Sequence, residues 1–108
     1  MSLFVSDRAI GSEQDALDLI ADAYHLHQAE WVVLQRDQLP AEFFTLSSGV
    51  AGAIVQKFVN YRMRLAVVGD VSAHEAASKP FRDWVRETNR GKDVWFVPDL
   101  ASFEERRR

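Results

Sequence analysis

Three short, unbroken apolar runs constrain this chain most: Trp31-Val32-Val33-Leu34, Leu65-Ala66-Val67-Val68 and Val94-Trp95-Phe96-Val97. Each is too short for a buried helix, and rich in β-branched or aromatic residues. That combination predicts a strand covered on both faces. The segments between the runs carry helical patterns. Strands alternating with helices imply a mostly parallel sheet with right-handed crossovers.

Phe4-Val5 predicts a short first strand. Ser12 and Asp15 form S-x-x-D, close to a capping box. Leu17, Ile20, Ala21 and Tyr24 follow at helical spacing, which predicts a helix over Glu13–Gln28 with one buried stripe. Pro40 suits the first turn of a short helix carrying Phe43 and Phe44; being adjacent, at most one of the two is expected to be fully buried. Ser47 or Ser48 is expected to cap the next helix, whose stripe is Val50, Ala51, Ile54, Val55 and Phe58. Gly49 and Gly52 cost about 1 kcal/mol each against Ala in a helix interior, and are read as allowing the helix to approach the sheet closely. Ser78 and Pro80 start a further helix with Phe81, Trp84, Val85 and Thr88 on one side. Asn89-Arg90-Gly91 stops it, with Gly91 free to take a positive φ. Asp99 recaps the chain after Pro98, and a terminal helix over about Leu100–Glu105 docks through Leu100 and Phe103. The order is βαβαβαβα in one α/β domain over residues 1–108.

Composition narrows the function classes. The formal net charge of −3 gives no general attraction to phosphate backbones, so no nucleic-acid partner is expected. The basic run Arg106-Arg107-Arg108 follows Glu104-Glu105 and reads as a frayed, solvated terminus. With no cysteine, there are no disulfides, zinc-thiolate sites or cysteine nucleophiles. No run approaches the ~20 apolar residues that span a bilayer, and the first residues do not resemble a signal peptide. The expectation is a cytoplasmic protein without membrane contact. His25, His27 and His74 share no ligand spacing, so neither a metal nor another cofactor is expected.

Three stretches carry a family resemblance: Gln14–Ile20; Phe43-Phe44-Thr45-Leu46-Ser47-Ser48-Gly49-Val50-Ala51-Gly52 with Gln56–Arg62; and Ser78–Asp83 with Glu87–Gly91. Together they resemble the bacterial family catalogued as domain of unknown function 4180, which implies a fold and no activity. A second, weaker similarity is to the STAS domains of anti-sigma-factor antagonists. It implies a STAS-like fold and a serine before the central helix that a partner kinase phosphorylates; Ser48 matches that position. Leu46 stands where those domains carry Asp.

Four candidate sites follow. Ser47, Ser48 and Gly49 lie at a helix start, where free N–H groups and the helix dipole favour an anion or a phosphoserine. Lys57 and Tyr61, one turn apart, can meet a partner together. Asp70, after a strand end, and Arg36, after the previous one, can line a ligand site at the carboxyl edge of the sheet. A triad drawn from Ser48, His74 and Asp70 lacks the strand–G-x-S-x-G elbow, so no catalytic residue is assigned. The leading expectation is a non-catalytic binding or regulatory module with a protein partner, acting through the Ser47–Gly52 helix start. The alternatives are a small-molecule-binding protein or enzyme with its site near Asp70, and a purely structural homodimer subunit.

Overall fold

The computed structural model describes residues 2–108. Four strands, β1 (Leu3–Val5), β2 (Trp31–Gln35), β3 (Arg64–Val68) and β4 (Val94–Val97), form one sheet. All three pairings are parallel and the order is β1-β2-β3-β4. The helices are α1 (Glu13–His25), α2 (Val50–Asn60), α3 (Ser72–Ala77), α4 (Lys79–Asn89) and α5 (Leu100–Arg106). Three short 3₁₀ turns lie between β2 and α2.

The strand order decides the layering. Each crossover steps one strand in the same direction, so right-handed connections put every crossover helix on one face. Buried Leu19 and Ile20 of α1, Ile54 and Phe58 of α2, and Phe81 and Val85 of α4 share a core with Val32, Leu34, Leu65, Val67, Val94 and Phe96. The alternate strand residues Trp31, Val33, Ala66, Val68 and Val97 form a second core with Phe103 of α5. The period-2 alternation of strand side chains thus explains why the apolar runs are unbroken: each face has its own cover.

That cover is thin on the α5 side, and aromatic rings with arginines complete it. Trp31 lies 4.7 Å from Trp95 and 5.0 Å from Phe103 between ring centres. The guanidinium carbon of Arg106 sits 4.1 Å from the centre of the Trp95 ring, and that of Arg107 5.7 Å from Phe103. Arg107 also pairs with Glu104 at 3.0 Å, its side chain only 18% exposed. The last turn is therefore packed, not frayed. The arginine stems cover rings while the charges stay near water. Leu100, expected to dock, is 41% exposed; Phe103 is the fully buried residue of α5.

Other departures have local causes. α1 ends at His25, before the expected Gln28, because Gln28 takes φ +49° and the N–H of Ala29 closes onto the carbonyl of Ala23. Its buried residues are Ala16, Leu19, Ile20 and Ala23, a stripe rotated from the expected one. Phe43 and Phe44 are both buried, on a 3₁₀ turn (Ala41–Phe44). Phe43 meets Trp84 and Phe96, while Phe44 stacks on His74 at 4.0 Å and meets Phe81. Gly52 is exposed, and a Cβ there would meet nothing within 4 Å, so it does not serve close packing. Gly91 is not among the glycines with positive φ.

Candidate functional site

At the carboxyl edge of the sheet, Ser48, Arg36 and Asp70 are each tied to nearby backbone. Gly49, with φ +80°, is the N-cap residue of α2, not a serine. The Ser48 hydroxyl accepts from the N–H of Val50 at 3.2 Å and donates to the carbonyl of Glu42 at 2.7 Å. It thus ties the start of α2 to the preceding turn. Ser47, Ser48 and Gly49 are nevertheless exposed. With Gly11, Ser12 and Glu13 at the start of α1, Ser48 and Gly49 line a shallow cleft of about 340 Å³.

Arg36 and Asp70 do converge: the Arg36 guanidinium donates to the backbone carbonyl of Asp70. Gly69 makes this possible. At φ +133° its missing Cβ would stand 2.9 Å from Cγ of Arg36, whose stem crosses the backbone there. The Asp70 carboxylate instead accepts from the N–H of Ser72 at 2.9 Å, at the start of α3. Hydrogen bonds from the Ser72 hydroxyl and backbone, with the charge of Arg36 adding to them, hold Asp70 below the usual carboxylate range. An exposed carboxylate so held closes the turn that leads into α3 and is not a general base tuned toward neutrality. Asp99 is the counterpart at α5: it accepts from the N–H of Ser102 at 2.7 Å, and its carboxyl is lowered by Ser102.

Lys57 reaches Glu13 on α1 at 3.5 Å, and Tyr61, the C-cap residue of α2, is exposed. Ser48 and His74 do not form a catalytic pair: the hydroxyl serves backbone groups and the imidazole stacks on Phe44. Among the described residues, no three His, Asp or Glu side chains gather as metal ligands. No helix among them is long and apolar enough to cross a membrane.

The amino edge of the sheet holds a larger feature. A groove of about 800 Å³ opens between α1 and the turn from α2 into β3. Leu17, Ile20, Ala21, Tyr24 and His25 of α1 form one wall. Ala29 and Glu30 form the floor toward β2, and Tyr61, Arg62, Met63 and Arg64 the other wall. Tyr24 is 63% and Tyr61 62% exposed, unusual for large apolar side chains in this molecule. Both neighbouring helices end at a left-handed residue that is followed by a backbone hydrogen bond back into the last turn. The N–H of Ala29 bonds the carbonyl of Ala23, the N–H of Met63 bonds that of Phe58, and the left-handed residue between is Gln28 or Arg62, not glycine.

Of the groove residues only Tyr61 was a sequence candidate. The signal for the rest is the width of the apolar arc on α1. Ala16-Leu19-Ile20-Ala23 and Leu17-Ile20-Ala21-Tyr24 are both i, i+3, i+4, i+7 stripes. The core uses the first, including the shared Ile20, and leaves Leu17, Ala21 and Tyr24 as a surplus apolar strip toward the surface.

No curated protein and no solved structure matches the chain. One family profile does, over residues 1–106 of the 108. The chain belongs to the family described as Domain of unknown function (DUF4180).

Proposed function

We propose that this protein is a non-catalytic binding module for a small organic molecule, and that the groove between α1 and the α2–β3 turn is its binding surface. One observation carries the reading: a concavity of about 800 Å³ flanked by two exposed tyrosines and lined in part by the apolar Leu17, Ile20, Ala21 and Met63. Its volume lies in the range of about 300–1,000 Å³ that small-ligand sites occupy. Exposed tyrosines on both walls favour a flat apolar body, which gains by stacking. The reading keeps the small-molecule class considered from sequence and moves its site to the opposite edge of the sheet. At the carboxyl edge, Arg36 and Asp70 are engaged with backbone, which favours a structural role there.

A second reading retains the Ser47–Gly52 helix start as a contact for a protein partner, with modification at Ser48 as the STAS resemblance implies. It is favoured by the joint exposure of Ser47, Ser48 and Gly49 beside the start of α1.

Titration with N-phenyl-1-naphthylamine, an uncharged fluorescent aromatic, tests the first reading. Saturable fluorescence enhancement at micromolar dye is expected. Ala21→Trp, placed on the exposed side of α1, should fill the groove and weaken binding at least tenfold with far-UV circular dichroism unchanged. Ser48→Asp should leave it alone. Binding by Ala21→Trp equal to wild type overturns the groove as the site. Loss of dye binding on Ser48→Asp without loss of fold favours the second reading.

A further inference from the structure

We infer that this chain forms a two-fold dimer through β1, whose open outer side pairs antiparallel with β1 of a second copy, Phe4 opposite Phe4. The inference goes beyond the groove and does not depend on it. β1 and β4 are the outermost strands of the sheet. Successive residues of a strand aim their backbone groups to alternate sides. The N–H of Ser6 bonds the carbonyl of Val33, and the carbonyl of Ser2 accepts from the N–H of Glu30, both at 3.0 Å, so Ser2, Phe4 and Ser6 face β2. The N–H and carbonyl groups of Leu3 and Val5 therefore face outward. Among the described residues, neither backbone nor side chain bonds them there.

β4 is treated differently. The carbonyls of Asp93 and Val97 accept from the N–H groups of Leu65 and Gly69, so Phe96 faces outward. The Asn89 side-chain amide accepts from the N–H of Phe96 at 2.7 Å and donates to its carbonyl at 3.2 Å, standing where a neighbouring strand would pair. The sheet is thus blocked at Phe96 on one side and open at Leu3 and Val5 on the other. Growth into a filament needs two compatible sides; a single open side is completed by its own copy across a two-fold axis. Leu3-Phe4-Val5 is also complementary to itself. Outermost strands are commonly guarded by charge, proline, a bulge or brevity, and this one has brevity alone: its register with β2 is unbroken. Pairing centred on Phe4 sets Leu3 opposite Val5 of the second copy, and such a pair exchanges both N–H···O bonds. The same contact covers Val5, now 50% exposed, with an apolar neighbour. On the other face Phe4, stacked at 4.1 Å on the exposed His27, meets its own copy.

Sedimentation equilibrium with amide exchange tests the pairing. The contact is small, so a dissociation constant of roughly 10–100 µM is expected. The Leu3 and Val5 amides should gain protection as concentration rises through that range. Val5→Lys adds a charge to the open side, and Val5→Pro removes an outward N–H that β2 does not use. Each should weaken association about tenfold or more with far-UV circular dichroism unchanged; if Val5→Pro loses its fold, Val5→Lys decides. The chain has no cysteine, so Phe4→Cys supplies a single thiol that the two-fold axis places opposite itself. Under mild oxidation it should link into dimers about tenfold faster than Leu100→Cys, whose thiol stands on the exposed start of α5. A protein that stays monomeric at about 1 mM overturns the inference. A dimer that Val5→Lys leaves intact, or in which Phe4→Cys links no faster than Leu100→Cys, also overturns it.

Discussion

The two edges of the sheet use polar and aromatic residues in opposite ways. At the carboxyl edge, Ser12, Ser48, Asp70, Ser78 and Asp99 each accept a hydrogen bond from backbone N–H near a helix start. Their side chains complete the helices that the strands feed. At the amino edge, Tyr24, Tyr61 and Arg62 are exposed, and Gln28 and Arg62 occupy left-handed positions. The edge where α/β sites are expected is here largely used up by the fold. The opposite edge keeps side chains that the fold does not need. Chemistry-bearing residues are therefore better judged by whether the backbone already occupies them than by which edge they lie on.

Gly69→Ala tests the carboxyl edge most severely. The substitution adds a Cβ at φ +133° and 2.9 Å from the Arg36 stem, so a loss of about 2 kcal/mol is expected. Chemical denaturation measures it. The double variant Gly69→Ala/Arg36→Ala should recover the steric part and keep the conformational part. If Gly69→Ala costs nothing, Arg36 is not packed against that turn, and the claim that this edge is closed fails.

Arg62→Gly tests the amino edge, with the opposite sign. Glycine adopts a positive φ freely, so the variant should gain up to about 1 kcal/mol of stability, less what glycine adds to the entropy of the unfolded chain. A gain in the denaturation midpoint together with weaker binding of N-phenyl-1-naphthylamine would set the cost of keeping arginine there against its use in the groove. A clear loss of stability would mean that the Arg62 side chain supports the fold. The contrast between the edges would then weaken.

Much of this architecture was legible in the sequence, for identifiable reasons. The strands stand out because both faces of a parallel sheet are covered, so Val32 and Val33 must both be apolar though they point to opposite cores. Ser12, Ser78 and Asp99 mark helix starts through short-range hydrogen bonds that involve only adjacent turns. What escaped depends on contacts distant in sequence. Phe44 is buried because His74 and Phe81 arrive from α3 and α4. Arg106 and Arg107 are packed because α5 lays them over Trp95 and Phe103. The convergence of Arg36 with Asp70 was anticipated; that the bond goes to a backbone carbonyl, with Gly69 opening the way, was not. The groove needed the rotation of α1 about its axis, which decides which of two equally good apolar stripes faces the sheet.

Acid makes the smallest and most selective test of the contrast. Asp70 and Asp99 are exposed carboxylates held below their ordinary range by hydrogen bonds at the starts of α3 and α5. A carboxyl lowered in the folded state contributes stability above its unfolded value of about 3.9, and that contribution is lost as pH falls through the lower folded value. Both helix starts should therefore weaken below about pH 4. For α5 the loss has an optical signature. Phe103 holds that helix against Trp31 and Trp95, with ring centres at 5.0 and 6.2 Å. Tryptophan emission should shift red between pH 5 and pH 3, before the loss of helical circular dichroism. Asp99→Asn keeps an oxygen acceptor for the Ser102 N–H and removes the titration, so its emission should stay flat over the same interval. If wild type and Asp99→Asn shift together, release of α5 is not driven by its cap. In that case the α5 start does not depend on its own acid as the contrast between the two edges requires.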